Sequence, residues 1–153
     1  MSRDHAFYMQ RALELARAAA AKGNRPVASL LVRGDEVIAE GENAMFTSND
    51  PSAHAEVVAI RQACARLATL DLSGTTLYST LEPCPMCFWC MQEAKIGRLV
   101  LGGRYAGIGR TDLGRYSIET IQELTARRIE LVTGVLDREC EALRLQWMRA
   151  RGR

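Results

Sequence analysis

Two short segments carry residue types able to do chemistry: His54-Ala55-Glu56 and Pro83-Cys84-Pro85-Met86-Cys87. One imidazole and two thiols supply three protein ligands to a tetrahedral zinc. The fourth position then stays open for water, the arrangement of catalytic rather than structural zinc sites. Zinc brings the pKa of such a water toward neutrality, which provides a nucleophile at ordinary pH. Glu56 follows His54 by two residues, close enough to take the water's proton and hand it to a substrate without binding the metal. The expected cofactor is one Zn2+ per chain, with His54, Cys84 and Cys87 as ligands and Glu56 as the catalytic residue.

The same residues admit blander readings. His54 can be a core histidine, Glu56 a surface carboxylate, and Cys84 and Cys87 unrelated core thiols or a disulfide. Cys90 also permits a closed site of Cys84, Cys87, Cys90 and His54, in which metal stabilises without catalysing. An iron–sulfur site would need a further nearby cysteine that the chain lacks. The combination favours catalytic zinc. H-x-E and C-x-x-C each stand beside a proline helix start, and Cys84 comes thirty residues after His54. Asp50-Pro51 and Glu82-Pro83 are read as the N-caps and first-turn prolines of the two helices that would carry the ligands. Their positive N-terminal ends would favour thiolate at both cysteines.

Elements must bring these segments together. Apolar residues Met9, Leu13, Ala16 and Ala20 repeat at helical spacing over 4–22, and Gly23-Asn24 stops that helix. His5, near its start, is read as solvated. Strands are expected over 27–32 and 37–40, joined as a hairpin by the turn 33–36. A loop, 44–49, leads to a helix over 54–67, with Cys64 a small core residue. Strands over 75–80 and 98–102 flank a helix over 84–95. The glycines from Gly102 to Gly109 are not a phosphate loop, since Ile108 stands where that motif needs lysine, and a flexible loop is expected. A short helix over 117–124, a strand over 129–132 and an amphipathic helix over 137–149 complete the chain. Cys140, Leu143 and Trp147 line one side of that last helix. Arg149, Arg151 and Arg153 make a basic end, read as a solvated tail. The alternation predicts an α/β fold with helices on both faces of one sheet. Its last two strands should be parallel, being joined by a right-handed crossover.

A chain of 153 residues is one domain by length, and its net charge of +2, with signs interspersed, gives no strong pull toward nucleic acid or membrane. No apolar run approaches the ~18 residues of a membrane span. The start at Met1 lacks a signal peptide's apolar core, and five cysteines suit a reducing compartment, so a cytoplasmic location is expected. Asn43 falls near the expected pocket mouth. It can read a heterocycle or ribose through its amide, or simply close a turn on its own backbone. Trp89 and Phe88 are candidates to stack on a flat ring. Asp112 and Glu119 are candidates to accept from an amino group.

The stretch from Thr47 to Arg61, with Leu81-Glu82-Pro83-Cys84-Pro85-Met86-Cys87, resembles the cytidine deaminase superfamily. More narrowly it is similar to the branch holding bacterial guanine deaminases and tRNA adenosine deaminases, over residues 4–102. The resemblance implies a three-layer α/β/α sandwich with a mixed five-stranded sheet, a homodimer, and hydrolytic removal of an exocyclic amine as ammonia. It implies zinc on His54, Cys84 and Cys87, proton transfer by Glu56 and substrate contact by Asn43. Residues 47–64 look nearer to guanine deaminases, and several tail motifs of the tRNA enzymes are absent. The expected substrate is therefore a free nucleobase or related amino-heterocycle, guanine-like by preference. A tRNA substrate is disfavoured and a cytosine-type base remains the other alternative. Phe88-Trp89-Cys90, where these relatives carry small residues, should narrow the pocket or alter the dimer face.

Overall fold

The computed structural model describes residues 2–151, so Met1, Gly152 and Arg153 lie outside the described residues. Elements run α1 (His5–Ala21), β1 (Ala28–Arg33), β2 (Glu36–Glu42), α2 (Met45–Ser48), α3 (Ala55–Leu67), β3 (Thr76–Leu81), α4 (Pro85–Glu93) and β4 (Arg98–Gly103). A 3₁₀ turn, α5 (Ile118–Gln122), β5 (Glu130–Val132) and α6 (Asp137–Arg151) follow. The strands form one sheet in the order β2-β1-β3-β4-β5. β1 is antiparallel to β2 and β3, whereas β3, β4 and β5 are parallel, as the crossover through α5 requires. This is the mixed five-stranded α/β/α arrangement expected.

Strand alternation sorts the core into two layers. Leu31, Leu77, Leu99 and Leu101 face α3 and α4, where they meet Ala59, Ala63, Phe88 and Met91. Leu30, Val32, Tyr78 and Val100 face α1 and α6, where they meet Met9, Leu13 and Cys140. His5 belongs to this second layer rather than to solvent. It is half-buried, its Nδ1 lying 2.9 Å from the Tyr78 hydroxyl, because α1 begins over the sheet and not beyond its edge.

Two close approaches depend on glycine. At Gly41 in β2 a Cβ would come 2.3 Å from the Ala55 carbonyl oxygen and 2.6 Å from the Ala59 nitrogen, so α3 can lie on the sheet only if no side chain is there. Gly41→Ala is expected to push α3 outward and lower stability by about 1–3 kcal/mol. Urea unfolding would report this as a lower midpoint at unchanged slope. A second seam lies under α6: a Cβ on Gly102 would sit 2.4 Å from Cys140 Sγ, and one on Gly107 2.2 Å from the Glu141 carboxylate. The glycine run is thus a packing surface rather than the flexible loop expected. Gly102 and Gly103 close β4, and their lack of side chains lets α6 settle on the strand end.

Candidate metal centre and active site

The ligand segments enter their helices differently from the sequence expectation. Asp50 does not cap α3. Its carboxylate folds back on Ser52, accepting from Ser52 N at 2.8 Å and Ser52 Oγ at 2.7 Å, a local turn that keeps the chain extended up to the helix. His54 itself occupies the N-cap of α3, and Cys84 the N-cap of α4 with Pro85 just inside the first turn. Neither side chain caps its own helix, so both are free to turn toward each other. β3 ends at Leu81, and Glu82-Pro83 carries the chain from the strand's C-terminal end into α4, the usual place for a site in an open α/β sheet.

His54 Nδ1 lies 3.5 Å from Cys84 Sγ and 3.4 Å from Cys87 Sγ, and the two sulfurs are 3.6 Å apart. Tetrahedral zinc with ordinary bond lengths would place nitrogen and sulfur about 3.6 Å apart and two sulfurs about 3.8 Å apart. The three donors therefore fit zinc. Cys84 is held down to about 4, first by its hydrogen bond with Cys87 and also by His54, while Cys87 is pushed up by its neighbour and by burial. The opposite shifts mark a coupled pair that favours one thiolate, and a dication held by both sulfurs would require both to be deprotonated.

Cys90 stands apart. Among the described residues the metal-compatible group is His54, Cys84 and Cys87, with ligand atoms within 4.8 Å of one another. Cys90 packs against the core layer under α4 instead. The closed four-ligand module is thereby lost: Cys90, half-buried one turn beyond Cys87, is not among the clustered donors. Cys90→Ser is expected to leave zinc stoichiometry unchanged in metal analysis of dialysed protein. A fall would reinstate the closed site.

Glu56 is in the first turn of α3 and buried. One carboxylate oxygen lies 3.0 Å from Ser79 Oγ and the other accepts from Cys87 Sγ at 3.4 Å. Burial pushes Glu56 above the usual carboxylate range, and the nearby Cys84 charge adds to it. Ser79 Oγ also lies 2.7 Å from the Leu81 carbonyl oxygen. One hydroxyl proton can serve only one of these acceptors. It can stabilise ionised Glu56, or turn to Leu81 and accept from protonated Glu56, so either protonation state keeps a partner.

The cleft over this group is lined by Glu56, His54, Asn43 and Tyr105, with Arg25, Arg110 and Arg144 around it. Asn43 lines the cleft and is buried, and its Oδ1 accepts from Met45 N at 3.2 Å, the turn contact expected of it. The loop before α3 is not wholly irregular. It holds the single turn α2, pinned by buried Asn24, whose side chain accepts from Phe46 N and Thr47 N. Trp89 does not reach the cleft. It is 54% exposed, because α4 turns Cys87, Phe88 and Met91 inward and leaves Trp89 on the outer side. Phe88 is wholly buried in the core. Asp112 is exposed and bound to Arg110 by contacts of 2.6 and 2.9 Å, so it holds a cleft arginine rather than lining the cleft. Glu119 lies on α5 against Arg104.

Two site residues take roles the sequence did not indicate: Glu82, expected as the N-cap of the cysteine helix, does not cap it, and Arg144 was not singled out. Glu82 is buried and accepts from Arg104 Nε at 3.0 Å, Tyr105 N at 3.1 Å and Ile118 N at 2.7 Å, tying the segment after β4 to the root of the cysteine helix. Arg144 comes off α6, is 6% exposed, and is lowered to about 10, by burial first and then by Arg25 and Arg110. Its sign in the sequence is a charge between Cys140 and Trp147 on the buried stripe of an amphipathic helix.

A zinc-compatible His/Cys/Cys group with a buried glutamate beside it, at the strand ends of a mixed sheet, defines a zinc aminohydrolase. The chain belongs to the family described as the cytidine and deoxycytidylate deaminase zinc-binding region, whose family model matches residues 2–103. It is 36% identical over 135 residues to the tRNA-specific adenosine deaminase of Bacillus subtilis, covering 87% of this chain and 81% of that one. It is 42% identical over 96 residues to the guanine deaminase of the same organism, covering 60% and 62%. Among solved structures, the guanine deaminase from Nitrosomonas europaea superposes with a TM-score of 0.85 at 29% identity, covering 96% of this chain and 85% of that one. The protein is a zinc-dependent deaminase of this family.

Proposed function

We propose that this protein removes an exocyclic amino group hydrolytically from a free nucleobase or related amino-heterocycle, a guanine-like purine by preference, releasing ammonia. The observation that carries the reading is the placement of Glu56: buried, beside three zinc-compatible donors, with a pKa shifted toward holding a proton. His54, Cys84 and Cys87 would hold the ion, which when bound would supply an activated water. Glu56 is placed to carry both protons of the attacking water: it would move the first to a ring nitrogen, then take the second from the hydroxyl now bonded to the ring carbon and give it to the departing amine, which leaves as ammonia. Ser79 turns its hydroxyl as Glu56 changes charge, and Asn43 orients the ring from the cleft wall. The walls exclude bulk water: the free interior is about 20 Å³, close to the room one water needs. A ring therefore enters by displacing side chains at the mouth.

Preference for a small ring over tRNA is supported by the narrow cleft beneath α6 and by the modest net charge of +2. A cytoplasmic homodimer with exposed Trp89 and Met86 of α4 at its contact completes the reading. No helix among the described residues is long and apolar enough to cross a membrane. Ammonia release from zinc-loaded protein against aminated purines, pyrimidines and triazines tests the proposal. Filter binding to tRNA runs beside it: tight binding that weakens steeply with salt, with no ammonia from free rings, would transfer the activity to RNA.

A further inference from the structure

Among the described residues, two charged side chains at the cleft have ion-pair partners. Glu82 is met by Arg104, and Arg110 by Asp112. Among the described residues Arg144 has no such counterpart. Among the described residues its Nε and Nη1 are buried without an acceptor. Its recorded contact is the face of Trp147, with the guanidinium carbon 4.7 Å from the ring centroid. It lines the same cleft as Glu56 and Asn43, and Arg25 and Arg110 line that cleft with it. An unpaired buried guanidinium is costly, and a neutral or apolar side chain of similar size would serve the fold better. Buried donors left idle in a native cleft call for an explanation, and acceptor oxygens brought by a ligand supply one.

We infer that Arg144, flanked by Arg110 and Arg25, is an anion subsite of the substrate cleft. The heterocycle this protein prefers carries a multi-oxygen anion, phosphate or carboxylate, whose oxygens accept from Arg144. This rests on reading the cleft as an amino-heterocycle site and narrows it, placing an anion-bearing ring above the bare base. α6 delivers the arginine, and the glycines beneath α6 set how deep it reaches.

The test uses zinc-loaded full chain, wild type and Arg144→Met, with Arg144→Lys as the variant that keeps the charge. Calorimetric titration with inorganic phosphate reads the subsite directly. Ammonia release is then compared for guanine, adenine and cytosine, their nucleoside 5′-monophosphates, and the carboxylated rings 5-carboxycytosine and pterin-6-carboxylate. Phosphate is expected to bind wild type and to inhibit competitively, and Arg144→Met to weaken it at least tenfold. The ratio of kcat/KM for the best anionic ring to that for its neutral counterpart should fall roughly ten- to a hundredfold, the span of one or two hydrogen bonds to a charged group. The monophosphate and carboxylate arms tell which anion is read. Thermal unfolding of Arg144→Met at or above the wild-type temperature marks a binding role, whereas a clear fall in Tm with an unchanged selectivity ratio marks packing and overturns the inference. Competition by a short RNA hairpin but by no mononucleotide overturns it also. Ammonia from neutral rings alone, with no phosphate binding, leaves the deaminase reading and removes the subsite. Arg144-dependent phosphate binding with no ammonia from any ring leaves the subsite and removes the substrate reading.

Discussion

Glu56→Gln should fold, bind zinc in full and lose all but about 10⁻² to 10⁻⁴ of its turnover, toward the lower figure because one carboxylate is asked to act on two proton transfers. The amide fills the same volume, and its oxygen can still accept from Ser79, which lies 3.0 Å from the carboxylate oxygen it replaces. What is removed is the capacity to take a proton from water and return it to the ring. Removing a carboxylate that burial disfavours as an anion also means that stability should not fall. Ammonia release and metal content measured on one preparation separate the outcomes. Near-normal release would take the proton-transfer role away from Glu56, and loss of zinc would turn it into a residue that shapes the ligand group.

Glu82→Ala should be the most damaging substitution to stability near the site, at about 3–5 kcal/mol, because it strands Arg104 and the backbone donors of Tyr105 and Ile118. The consequence extends to the metal, since Glu82 stands two residues before Cys84 and fixes how α4 starts. Zinc-free protein should unfold at markedly lower urea, and zinc affinity should fall with it. Glu82→Gln, which keeps acceptor capacity but loses the charge, should lie between. An unchanged urea midpoint in the alanine variant would mean that Arg104 and the loop find other partners, and Glu82 would not be the clamp described.

The ligands and Glu56 could be read from sequence because each motif is a few consecutive residues whose chemistry depends on spacing alone. Helix and strand order followed for a similar reason: apolar periodicity is local, and the boundaries found differ from expectation by one or two residues at most elements. What failed required knowledge across the chain. Asp50 and the loop at 44–49 were decided by side-chain bonds to Ser52 and from Asn24. Glu82 finds its donors on segments far along the sequence, with no local sign beyond its place before a proline. Trp89 illustrates a missed local sign. Cys87, Phe88 and Met91 already define the inward arc of α4, and Trp89 falls outside it. The glycines after β4 were misjudged because their reason lies in α6, which approaches them from later in the chain.

The family model matches residues 2–103 and α6 begins at Asp137, so the zinc-compatible donors with Glu56 and the arginine that lines the same cleft are written in separate stretches of chain. The bare glycine seam is the joint between the two. Exchanging the tail at that joint is expected to change which ring is accepted while zinc content stays as it is, since the His54, Cys84 and Cys87 donors all precede the joint.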